Sequence, residues 1–136
     1  MQQEAGPVFR DPQVNFYVAD IERSLRFYRD LLGFRETFRT PKDGTPEHVE
    51  LKSGEFVLGL ATIEVARRAH GIPAGTGAPR AEVVVWTDDV DWAHAELVTK
   101  GARPLSAPHD FAGTLRAGWV TDPDGNPVQV VPRRSK

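Results

Sequence analysis

The chain states one plan twice. Residues 14–34, VNFYVADIERSLRFYRDLLGF, hold an alternating apolar run, an aspartate, an amphipathic stretch and a glycine. Residues 83–102, VVVWTDDVDWAHAELVTKGA, repeat that plan at an offset of about sixty-nine positions. Short apolar runs with Gly and Pro turns follow each copy. A small repeated unit cannot bury its apolar face alone, so the copies must pack together or onto a second chain. The seam between them is the natural place for a ligand.

The alternation and the turn residues assign the elements. Gln13–Ala19 reads as a strand, with Asp20 as the cap of a helix whose stripe is Ile21, Leu25, Tyr28 and Leu32, widened by Phe27 and Leu31 and stopped by Gly33. Strands are expected at Phe34–Arg39, His48–Lys52 and Phe56–Ala61, with turns at Pro41–Gly44 and Ser53-Gly54. Residues 67–80, RRAHGIPAGTGAPR, hold three glycines and two prolines and read as a linker. In the second copy Glu82–Trp86 is a strand, Asp88 or Asp89 a cap, Val90–Lys100 a helix and Gly101 its stop. Arg103–Leu105, Thr114–Thr121 and Pro127–Val131 complete the strands, the last two joined by a turn at Asp122–Asn126. The expectation is a single domain over residues 1–136: one module over about 12–66, the linker at 67–80, and a second module over about 81–132. Its class is α+β, two βαβββ modules whose mixed sheets curl into open cups.

Period-two alternation then sorts the strand residues. Val14, Phe16, Val18, Leu58, Leu60, Val83, Val85, Val128 and Val130 should face the helices as core. Gln13, Asn15, Tyr17, Gly59, Glu82, Val84, Trp86, Gln129 and Val131 should line the concave side. That second set is too polar and aromatic for a simple core, and function is expected there.

Composition removes several functions. Seventeen basic and nineteen acidic residues leave a net charge of −2 spread along the chain, and only the tail 133–136 is locally basic, so no nucleic-acid partner is expected. There is no cysteine, hence no disulfide, thiolate metal site or cysteine nucleophile. No apolar run approaches the roughly 18–20 residues that span a bilayer, and MQQEAGPVFR lacks an apolar signal core, so no membrane partner and a cytoplasmic location are expected. The serines have no Gly-x-Ser-x-Gly setting, and the linker glycines neither follow a strand nor open a helix as a phosphate loop does.

The runs VADIERSLRFYRDLLGF, WTDDVDWAHAEL and WVTDPDGNPVQVV resemble the vicinal-oxygen-chelate superfamily, which includes glyoxalase I, extradiol dioxygenases and bleomycin-resistance-type binding proteins. The resemblance runs from about Gln13 to Pro132 and implies the paired βαβββ fold. It implies function less directly, because one fold hosts isomerases, oxygenases, epimerases and metal-free binders. Metal-dependent members take a ligand from each of four strands, at positions matching Gln13, Gly59, Glu82 and Gln129 here. Gln13 matches, Gly59 offers no donor, Glu82 stands where His is usual, and Gln129 stands where Glu is usual. Neutral amides and one carboxylate are a weak set for Zn, Ni or Fe(II). No metal cofactor is therefore favoured; if a divalent ion binds, Gln13, Glu82 and Gln129 would hold it.

Individual residues carry open alternatives. Glu82 is either a general base beside a carbonyl or the partner of Arg116 or Arg103. His48 and Glu50 share a strand face and either supplement the site, with His48 or His109 completing a metal shell in the enzyme alternative, or face solvent, which is the plainer expectation. His109 and Phe111 sit in an expected loop that either closes over a pocket or forms a surface turn. His70 and His94 are expected in solvent, and Trp92 against the sheet or a partner chain. Tyr17, Trp86 and Trp119 suit an aromatic groove, with Gln13, Asn15, Glu82, His109, Phe111 and Gln129 as further ligand contacts. The leading expectation is a homodimer that sequesters an aromatic or cationic natural product without metal. The alternatives are a metal-dependent glyoxalase-like lyase or isomerase or a ring-cleavage dioxygenase, and a metal-free isomerase using Glu82.

Overall fold

The computed structural model describes residues 11–75, 77, 78, 81–111 and 115–133. Thr114 of the seventh expected strand, three residues of the linker and tail residues 134–136 lie outside them. Strand β1, Val14–Val18, leads into α1, Ile21–Leu25, which continues as a wider π-helical turn over Arg26–Leu31. Then come β2 (Arg35–Thr40), β3 (His48–Ser53), β4 (Phe56–Thr62) and α2 (Ile63–His70). The second half follows with β5 (Val83–Thr87), α3 (Val90–Thr99), β6 (Arg103–Phe111), β7 (Leu115–Thr121) and β8 (Pro127–Pro132).

Each half makes the same four-stranded sheet. The orders are β1-β4-β3-β2 and β5-β8-β7-β6, with the first pair parallel and the others antiparallel. Both helix starts are capped as the aspartates suggest: Asp20 accepts from Arg23 N, and Asp89 rather than Asp88 accepts from Trp92 N. Leu60, Val128 and Val130 are buried, as the alternation requires, and residues from both halves share one apolar cluster. Val14 departs from the expected core: it lies at the open edge of its sheet, 46% exposed.

Three other expectations need correction. A strict 3.6-residue stripe does not describe the first helix, because Leu32 N donates to Phe27 O five residues back. Phe27, expected to widen the stripe, does enter the core beside Tyr28, their rings edge-on at 4.9 Å, and the wider turn, which rotates successive residues by less, is what seats both. Residues 67–70 are not linker but the end of α2, capped by the Thr62 hydroxyl and closed by Gly71 at φ 64°. His109 and Phe111 are not in a loop: β6 runs through both, and its register shifts twice along β7, which lets a strand absorb Pro104 and Pro108.

The halves are joined by a polar lock. The β7–β8 turn, Asp122–Asn126, reaches α1, where Asp124 Oδ1 accepts from Ala19 N at 3.0 Å and its Oδ2 from the Ser24 hydroxyl at 3.4 Å. Asp122 accepts from the Tyr28 hydroxyl at 2.7 Å and is itself held by Asn126 and by the amides of Asp124 and Asn126. No helix among the described residues is long and apolar enough to cross a membrane.

Candidate functional site

On the open face of the first sheet, three strands place Asn15, Gly59 and Glu50 in one cross-strand row. Gly59 is not a vacancy. A Cβ there would overlap the Asn15 side-chain oxygen, so that amide already uses the space. Gln13 Nε2 donates to Asn15 Oδ1 at 2.9 Å and to Glu50 Oε2 at 3.4 Å, while His48 Nε2 lies 3.3 Å from the same carboxylate oxygen. Of the two expectations for His48 and Glu50, solvent exposure does not hold: both are half-buried members of a polar cluster with Gln13 and Asn15. The legible signal was their alternation on a strand facing a glycine.

The second sheet carries the aromatic half. Val84, Gln129 and Trp119 form the corresponding row across β5, β8 and β7. The His109 ring stacks on Trp119 at 5.9 Å and 25°, and Phe111 lies 6.2 Å beyond. His109 Nδ1 donates to Ala107 O at 2.8 Å, which fixes the ring against its own strand. Glu82 Oε2 accepts from the Trp119 indole at 3.4 Å.

The arginine pairing considered for Glu82 does not occur with Arg116. That guanidinium binds Asp91 at 2.7 Å and Asp110 at 2.9 Å, and the Asp91 carboxyl is held below its usual range chiefly by it. His94 is not solvated either: it is 7% exposed, packs against Gly118 and donates to Trp119 O at 3.1 Å. Trp92 does not pack on the sheet and stands 64% exposed.

Neither of two cavities at the halves brings Tyr17, Trp86 and Trp119 together. A cavity of about 810 Å³ lies between the halves, walled by Phe16, Phe34 and Phe56 of the first and by Val84 and Trp86 of β5. A second, of about 780 Å³, places Asn15 and Tyr17 beside Ile72–Gly75 and Asn126. Trp119, His109 and Gln129 line neither. No hydrogen bond or ring contact among the described residues links the Gln13–Glu50 cluster to the Glu82–Trp119 pair.

This donor set does not fit a transition-metal centre. The Gly59 position is filled by a neutral amide, Gln13 is spent on Asn15 and Glu50, and Glu82 belongs to the other sheet face. Among the described residues no three His, Cys, Asp or Glu side chains converge. Too little charge and too few imidazoles are gathered to offset dehydration of such an ion.

Two βαβββ units sharing one core, each with an open sheet face, define a paired-cup protein of the vicinal-oxygen-chelate type. The chain belongs to the Glyoxalase/Bleomycin resistance protein/Dioxygenase superfamily, whose family model matches residues 12–130. No curated protein sequence matches it. Among solved structures it is similar to TioX from Micromonospora sp. ML1, at 23% identity and TM-score 0.72, covering 90% of this chain and 98% of that one. A glyoxalase-related enzyme from Fulvimarina pelagi gives 24% identity and TM-score 0.73, covering 90% and 87%. Lactoylglutathione lyase from Agrobacterium tumefaciens gives 22% and 0.69, covering 93% and 95%. At these identities the likeness is one of fold.

Proposed function

We propose that this protein is a metal-independent binder of flat, cationic small molecules, working as a homodimer. The observation that carries the reading is the stacked His109–Trp119 pair with the Glu82 carboxylate at the indole edge. A stacked ring pair offers a flat face to an aromatic ligand, and a nearby carboxylate with aromatic faces favours positive charge. Gln129, in register with Trp119, and the Gln13–Asn15 amides of the other sheet add neutral hydrogen-bonding groups. Glu82 then acts as a recognition group rather than a base.

Dimerisation follows from the sheet edges. Strands β1 and β5 each end a sheet, and Val14, Tyr17, Val84 and Trp86 on them are 39–48% exposed. Bare edges with exposed apolar side chains invite a second chain. A partner seated there brings the polar face of one chain to the aromatic face of the other, completing a cup that neither has alone.

The test is tryptophan fluorescence titration with 9-aminoacridine, a flat cation at neutral pH, against neutral acridine. The expected result is preferential quenching by the cation, without added metal, and at least tenfold weaker binding in Glu82→Gln and Trp119→Ala, about 1.4 kcal/mol. Light scattering should give twice the 15.1 kDa chain mass. Binding only after Zn²⁺ or Mn²⁺ is added, or equal binding of acridine, would sink the reading.

A further inference from the structure

We propose that Glu50 is a second cation-recognition group, one that supplies from β3 the carboxylate that β4 lacks at Gly59. The inference rests on the metal-independent binding reading above and extends it to the first sheet. Three observations converge on it. First, Glu50 is paired directly opposite Gly59 across β3 and β4, and Gly59 opposite Asn15 across β4 and β1, so the side chain missing at position 59 lets the Asn15 and Gln13 amides lean across to Glu50. Second, the carboxylate is held from one side only. Gln13 and His48 both reach Oε2, while Oε1 accepts no hydrogen bond among the described residues and the side chain stays 31% exposed. Third, the wall beside it is aromatic: Phe38 is the β2 partner of Glu50, is 48% exposed, and lies 6.2 Å from the His48 ring.

A carboxylate oriented by a neutral amide, with one free oxygen and an exposed ring alongside, suits an ammonium or amidinium group attached to an apolar body. Among the described residues no lysine or arginine pairs with it, and the basic side chain that reaches it is His48, 3.3 Å from Oε2. Arg39, on the adjacent strand, is engaged by Glu36, and Lys52, two residues along β3, makes no ion pair with Glu50. Gln13 and Asn15 hold each other, so the polar face beside Glu50 is ordered before a ligand arrives.

The experiment is an amide and side-chain NMR titration of the full chain with benzamidine hydrochloride, with benzamide as the neutral control. The expected result is a saturable shift of Gln13, Phe38, His48 and Glu50 signals by benzamidine alone. Glu50→Gln should weaken that site at least tenfold. Circular dichroism and an unchanged melting temperature confirm that Glu50→Gln is folded. Shifts confined to Trp119, His109 and Glu82 would overturn the role of Glu50 while leaving the aromatic site standing. Equal shifts with benzamide, or none with either compound, would also overturn it. So would stoichiometric Zn²⁺ binding that moves the His48 ring signals, which would make the cluster a metal centre.

Discussion

The Tyr28 hydroxyl donates a 2.7 Å hydrogen bond to Asp122 Oδ2, tying the first helix to the last turn across 94 positions of sequence. Both groups are buried. Burial first, and the Asp122 charge second, push the Tyr28 phenol well above its usual range, so it remains a donor at any pH the fold survives. Removing only the hydroxyl, in Tyr28→Phe, keeps the packing against Phe27 and leaves Asp122 one donor short. The expected cost is about 1.5–3 kcal/mol, read from the urea midpoint at constant slope. A loss below about 0.5 kcal/mol would mean that the bond does not tie the halves, because surface-like substitutions already reach that size.

Asp124, two residues on, should respond to pH with the opposite sign to an ordinary salt-bridged carboxylate. Desolvation chiefly, and the charge of Asp122 after it, raise the Asp124 carboxyl above its usual value despite the bonds from Ala19 and Ser24. A carboxyl raised on folding holds its proton longer in the native state than in the unfolded chain. Its contribution is therefore full below the unfolded pKa and is lost as pH rises through the folded one. Asp124→Asn keeps an oxygen for Ala19 N and removes that titration. The variant should be as stable as the parent or more so at neutral pH, with the fall in stability above the carboxylate range flattened. Melting temperatures from pH 4 to pH 8 check this, and a variant that loses stability most at neutral pH would contradict it.

Much of this architecture was legible because periodic patterns report periodic structure. Val14-Asn15-Phe16-Tyr17-Val18 alternates and is a strand; Asp20 and Asp89 precede amphipathic runs and are caps. What the pattern missed is where side chains from different elements meet. His94 looked like a solvated helix residue, since nothing local says that a glycine at 118 leaves room for its ring. His109 looked like a loop residue because Pro104 and Pro108 argue against a strand, and two register shifts accommodate them. Residues 67–70 were hidden in a Gly- and Pro-rich stretch although Thr62 provides a good helix cap. The site suffered most. Asn15 and Gly59 share one cross-strand row, but Glu50 gains its meaning only from the register that sets it against Gly59.

That register gives the sharpest test of how the first sheet face is built. Gly59 has ordinary backbone freedom to lose nothing by substitution; what opposes a side chain there is the Asn15 oxygen. In Gly59→Ala the new methyl must displace Asn15, which releases Gln13 from its 2.9 Å bond and leaves Glu50 with His48 alone. Overpacking of this kind costs about 1–3 kcal/mol. Asn15→Ala empties the same space and loses only a half-exposed amide pair, so its own cost should be small. If the two side chains contest one volume, the double variant will be more stable than the sum of the singles predicts, by about 1 kcal/mol or more. Additive effects in the denaturation cycle would show that Asn15 swings aside freely. The amide network would then be no barrier to a carboxylate at position 59, and the case against a metal ligand there would lose its steric support.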